Sequence, residues 1–102
     1  MKEKLEYVKN ITLLYVEDDK DTREELTYFL EKKVDKLFIA KDGEEGYELY
    51  KKEKPDLVIT DLQMPKLNGI EMIKLIKDFD NQARVIILTA FNDMDYLFEA
   101  IS

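Results

Sequence analysis

The chain has 102 residues, 45% of them hydrophobic and 38% charged with only three Gly and two Pro, which describes one compact, element-rich domain with a modest core. With no Cys and no His, disulfides, thiolate or imidazole metal sites, Ser-His-Asp catalysis and a phosphohistidine of its own are excluded, and chemistry is left to carboxylates, hydroxyls and Lys. A formal charge of −7 argues against nucleic acid and anionic lipid and favours a positive partner, a metal ion included.

The opening MKEKLEYVKN is charged and has no apolar stretch of the kind a signal peptide needs, so residues 1–10 are expected to be an N-terminal extension with at most a short helical turn. ITLLYV, Ile11 to Val16, is the first predicted strand, and it runs into Glu17, Asp18 and Asp19. Asp21-Thr22, with Glu24 and Glu25 behind them, reads as a helix start, a role Asp19 can also fill. Leu26, Phe29, Leu30 and Val34 form the apolar stripe of that helix. LFIA, Leu37 to Ala40, is the second strand. Lys41 and Asp42 make a turn, and DGEEG opens a second helix with Gly46, Leu49 and Tyr50 inward.

LVIT, Leu57 to Thr60, is the third strand; it ends in Asp61, and Pro65 stops regular structure soon after. KLNG opens a third helix, in which Met72, Leu75, Ile76 and Phe79 repeat at i, i+3, i+4, i+7. VIILT, Val85 to Thr89, is the fourth strand, and NDMD opens a fourth helix with Met94, Leu97, Phe98 and Ile101 inward. The strand runs are short and almost continuously apolar, as strands buried on both faces are. No run is long enough to span a bilayer. The order βαβαβαβα predicts a three-layer α/β domain around a doubly wound parallel sheet, and the absence of Cys suits a reducing cytoplasm.

In such a sheet, ligands bind beyond the carboxyl ends of the strands. Glu17, Asp18 and Asp61 all fall there, with Thr89 after the fourth strand. A lone Asp after a strand is common and Asp19 or Asp21 can simply cap a helix, but like charges gathered at one edge repel unless a cation sits among them. Hard oxygen ligands at a partly hydrated site favour Mg²⁺. A carboxylate beside Mg²⁺ in a chain without His can act as a nucleophile toward phosphorus and form an acyl phosphate. Asp61, on the central strand, is the best-placed nucleophile.

At these residues the chain resembles a response regulator receiver domain, the phospho-accepting half of bacterial two-component signalling. LLYVEDD (13–19), PDLVITDLQMPKLNGIEMI (55–73) and VIILTA (85–90) carry the resemblance, in the family's order and spacing, over residues 11–102. It implies that Asp61 takes a phosphoryl group from a sensor histidine kinase. Asp18 and Asp61 would ligate Mg²⁺ directly, Glu17 through water and Gln63 through its backbone carbonyl. Thr89 would hydrogen-bond a phosphoryl oxygen and signal its arrival. Pro65 and Gly69 would shape the loop, Gly69 through a conformation other residues resist. The resemblance also implies the flavodoxin-like strand order 2-1-3-4-5, established for chemotaxis receivers, and an output domain, C-terminal or separate. The chain would then be a phospho-acceptor with self-catalysed transfer, not a turnover enzyme.

The family's fifth strand, with a Lys before a Pro, and its fifth helix have no counterpart before Ser102. The expectation is therefore four of five βα units, no catalytic Lys and impaired transfer. It includes a homodimer that hides the VIILT edge by pairing fourth strands or swapping the terminal unit. Rival readings meet specific obstacles. A haloacid-dehalogenase-type phosphatase needs a second Asp two residues beyond the nucleophile, where Gln63 stands. A flavin domain needs Gly, Ser and Thr in its first loop, where VEDDKD stands. A dimerisation or docking module that keeps the fold without phosphorylation is the remaining alternative.

Overall fold

Leu13, Leu14, Tyr15 and Val16 are fully buried, which four consecutive strand residues achieve only when both sheet faces are covered. The structure, a computed structural model, describes residues 10–61 and 68–88. Over these the chain alternates β1 (Thr12–Val16), α1 (Lys20–Leu30), β2 (Lys36–Ala40), α2 (Gly43–Glu53), β3 (Leu57–Asp61), α3 (Gly69–Phe79) and β4 (Val85–Leu88). The strands form a parallel sheet in the order β2-β1-β3-β4, as expected for a flavodoxin-like doubly wound fold.

Successive residues of the central strands feed opposite layers. Leu14 and Val16 of β1 and Val58 of β3 join Tyr50 of α2 and Met72 and Ile76 of α3. Leu13, Tyr15 and Ile59 join Leu26 and Leu30 of α1, with Val34 beyond that helix's end. Each fully buried aliphatic side chain contributes about 1.5–3 kcal/mol, so these two clusters dominate the stability of the fold. β2 and β4 are less buried, with Ile39 and Ile87 exposed, and among the described residues β4 pairs with β3 alone.

Side chains close the helix starts. Asp19 caps α1, Asp42 caps α2 and Asn68 caps α3, each accepting the backbone N–H three residues on. Asp21 thus sits inside the first turn of α1, and the cap is Asp19. α2 ends at Lys54 in the left-handed region (φ 46°), with Pro55 next to prevent continuation. Asp56 then ties the start of β3 to β1, its Oδ2 accepting from Thr12 N at 2.8 Å and Thr12 Oγ1 at 3.1 Å.

Two expectations need correction. α3 buries Gly69, Met72 and Ile76 and packs Ile73 against the core, while Leu75 and Phe79 are 36% and 46% exposed, so the contact strip runs through 69, 72, 73 and 76 and not through 75 and 79. Phe79 instead meets the Tyr50 ring edge-on, with centroids 6.4 Å apart. Gly69 does not adopt an unusual backbone: among the described residues no glycine has a positive φ, and Gly69 is the first helical residue behind the Asn68 cap. The cap makes the turn into α3 with extended backbone at Asn68 (φ −73°, ψ 168°), which leaves Gly69 an ordinary helical one. Gln63, Pro65, Thr89, the fourth helix with Met94, Leu97, Phe98 and Ile101, and the extension before Asn10 lie outside the described residues. No described helix is long and apolar enough to cross a membrane.

Candidate functional site

β1 and β3 are parallel neighbours paired Val16 to Thr60. The next residue on each strand is therefore an acid, Glu17 on one and Asp61 on the other, and they emerge side by side although 44 positions apart in the chain. Asp18 completes the group. Glu17, Asp18 and Asp61 each present a carboxylate oxygen within 4.8 Å of the others. Glu17 is buried at 6% exposure, and Asp18 and Asp61 are half-buried.

Concentrating acids here has a visible cost. Burial pushes the Glu17 carboxyl up to about 7, with the hydrogen bond it shares with Asp18 and the charges of Asp61 and Asp18 adding to the rise. The Asp19 N–H, donating to Glu17 Oε2 at 3.1 Å, works the other way. Burial, reinforced by the Glu17 and Asp61 charges, also pushes the Tyr15 phenol far above its ordinary range. That hydroxyl is fully buried and has no hydrogen-bond partner among the described residues. Asp19 plays a different part. Its carboxylate accepts from Thr22 Oγ1 at 2.7 Å and Thr22 N at 2.8 Å, which holds its pKa below the usual range and commits it to capping.

The donor set fits a hard divalent cation. The oxygens are all carboxylate, they converge, and two of the three residues keep solvent access for coordinated water. Mg²⁺ is commonly held through one or two carboxylates with water filling the rest of its shell, so Glu17, Asp18 and Asp61 offer enough donors to hold it. Such an ion would also relieve the electrostatic load on Glu17, since a nearby positive charge favours the charged carboxylate.

The sequence-predicted residues Glu17, Asp18 and Asp61 are thus brought together, with Asp19 outside the cluster as a cap. Lys41 and Asp42 remain structural, Asp42 accepting from Glu45 N at 2.8 Å. Sequence reasoning missed Arg23. Its Nη1 donates to Glu17 O at 2.9 Å and to Asp18 O at 3.2 Å from the first turns of α1. The one available signal was its place four residues after the capping Asp19. Thr60, fully buried beneath the site, donates from Oγ1 to Asp61 O at 2.8 Å.

Compared with known proteins, the chain matches the response regulator receiver domain family over residues 13–102. It is 35% identical over 91 residues to sporulation initiation phosphotransferase F of Bacillus subtilis, covering 89% of this chain and 73% of that one. Among solved structures, the N-terminal domain of an uncharacterized protein from Wolinella succinogenes superposes with a TM-score of 0.75 at 42% identity, over 89% of this chain and 73% of that one. A CheX-CheY-BeF3-Mg+2 complex from Borrelia burgdorferi superposes with a TM-score of 0.70 at 32% identity, over 86% and 68% of the respective chains. Several other curated relatives are longer, and the chain spans 24% to 52% of their length.

Proposed function

Because this chain belongs to the response regulator receiver domain family, the phospho-accepting part of two-component signalling proteins, we propose that Asp61 is its phosphoryl acceptor and that Glu17, Asp18 and Asp61 hold Mg²⁺. The observation that carries the reading is the convergence of three carboxylates at the carboxyl edge of β1 and β3. The similar Borrelia structure is itself a complex with BeF3 and Mg+2.

In this reading an Asp61 carboxylate oxygen attacks phosphorus, an acyl phosphate forms, and the P–N bond of a phosphohistidine on a sensor kinase breaks. Mg²⁺, when bound, offsets charge on the transferring group. The half-buried position of Asp61 leaves it open to a donor, while β3 holds it from behind. Asp18 and Asp61 would hold the cation directly, Glu17 through water, and the Gln63 carbonyl would complete the protein's share. Thr89 binds a phosphoryl oxygen once transfer has occurred. The chain, having no His, supplies the acceptor and not the donor. It is modified stoichiometrically in the cytoplasm and reports to an output domain in the same or another polypeptide.

In a chain that carries the family's fifth strand as well, acetyl phosphate with Mg²⁺ should add one phosphoryl group by intact-mass measurement, and Asp61→Asn should abolish the addition; residues 1–102 alone should react slowly or not at all. Labelling that persists in Asp61→Asn would transfer the role to another residue. Millimolar Mg²⁺ should also raise the thermal midpoint, an increase that Asp18→Ala removes. An equal rise in that variant would sink the metal assignment.

A further inference from the structure

Arg23 stands in the second turn of α1 and gathers the carbonyls of the β1–α1 loop. Its Nη1 donates to Glu17 O at 2.9 Å and Asp18 O at 3.2 Å, and its backbone N–H donates to Asp19 O at 2.9 Å. Three consecutive loop carbonyls therefore end on one residue. The amide side of the loop is tied elsewhere, Glu17 N to Ala40 O at 3.1 Å and Asp19 N to Glu17 Oε2 at 3.1 Å. Between the end of β1 and the start of α1, the described contacts to the Glu17 and Asp18 carbonyls come from Arg23 alone. The carbonyl side of the backbone that aims those two carboxylates is thus held by a single guanidinium, and these bonds are partly buried, where water replaces a lost donor poorly.

We propose that Arg23 is a positioning residue for the cation: it holds the Glu17 and Asp18 carbonyls so that the two carboxylates face Asp61. The inference rests on the reading of this cluster as a Mg²⁺ site. A planar guanidinium suits the task, because the two hydrogens of one nitrogen diverge in a fixed plane toward two acceptors, whereas a Lys ammonium rotates. The role is separable from simple electrostatics by sign. A positive charge close to the cluster repels a divalent cation, so if Arg23 acted only through its charge, removing it would tighten Mg²⁺ binding. If it positions the ligands, removing it weakens binding, by about 10–100-fold as for other outer partners of metal ligands.

Titration calorimetry with Mg²⁺ on wild type, Arg23→Met and Arg23→Lys tests this. Met keeps the apolar stem without a donor; Lys keeps the charge and a donor. Arg23→Met should bind about 10–100-fold more weakly, with Arg23→Lys between it and wild type. In metal-free protein the Asp19 amide should exchange faster in Arg23→Met while that of Ile59, in the core of β3, is unchanged; equal acceleration of both would mean global loosening and overturn the positioning role. Affinity at or above wild type in Arg23→Met or Arg23→Lys also overturns it. A wild type that binds Mg²⁺ while Arg23→Met binds equally well refutes only the role of Arg23. A wild type that binds no Mg²⁺ refutes the metal reading along with it.

Discussion

Replacing Glu17 with Gln should stabilise the metal-free protein at pH 8 and leave it little changed at pH 4. In the folded chain the Glu17 carboxyl keeps its proton up to about pH 7, against 4.5 for an unperturbed group. Between those values the folded state binds a proton that the unfolded state has lost, so stability falls as pH rises through the window and the loss is complete above pH 7. At 1.36 kcal/mol per unit the interval corresponds to about 3 kcal/mol, and screening of the half-buried Asp18 and Asp61 charges brings the expectation to about 2–3 kcal/mol. Gln retains an oxygen that can accept from the Asp19 N–H, now at 3.1 Å from Glu17 Oε2, so the loop contact survives the substitution. For a domain of this size, thermal unfolding in a chelator at pH 8 should show a midpoint about 10–20 °C above wild type, with the difference shrinking as pH falls toward 4. Saturating Mg²⁺ should narrow the gap at pH 8 by raising the wild type, because the cation favours the ionised carboxylate. A Glu17→Gln variant no more stable than wild type at pH 8, or a gap that widens as pH falls, would show that Glu17 is not the loaded group.

Gly46→Ala tests how closely α2 approaches the sheet. An added Cβ would lie 2.7 Å from Met72 Sδ and 2.9 Å from Val16 Cγ2, both on fully buried side chains. The gain of about 1 kcal/mol in helix propensity should be outweighed by overpacking of about 1–3 kcal/mol. Urea unfolding should therefore show a net loss of up to about 2 kcal/mol, and a stabilised variant would mean that Met72 and Val16 yield without strain. Tyr15→Phe removes a buried hydroxyl that has no partner among the described residues. It should stabilise by about 1 kcal/mol in the same assay, and a loss of that size would reveal a bond to the phenol.

The sequence by itself determined the features that depend on neighbours along the chain. Short β-branched runs between amphipathic stretches are enough to declare alternating strands and helices. The capping acids and Asn68 mark where helices begin, because a cap satisfies N–H groups two or three residues away. The acids after the first and third strands were legible for the same reason, and the rule that α/β sheets bind ligands at their carboxyl edge made them a candidate site. Helix faces were only half legible. The spacing of Met72, Leu75, Ile76 and Phe79 describes a stripe, but which side of the stripe is covered depends on where α2 and the sheet lie, and Leu75 and Phe79 fall on the open side.

What joins distant positions was decided by tertiary structure. The pairing of Val16 with Thr60 is what sets Glu17 against Asp61, and a one-residue slip would send one acid to the opposite face of the sheet. The approach of Gly46 to Met72 and Val16 likewise needs two helices and a strand in place. The raised pKa of Glu17 follows first from burial and in part from the charge of Asp61, 44 positions away, neither of which acts on Glu17 in an unfolded chain. Local chemistry named the carboxylates, and long-range packing made them one site, because charge and desolvation act through space and not along the backbone.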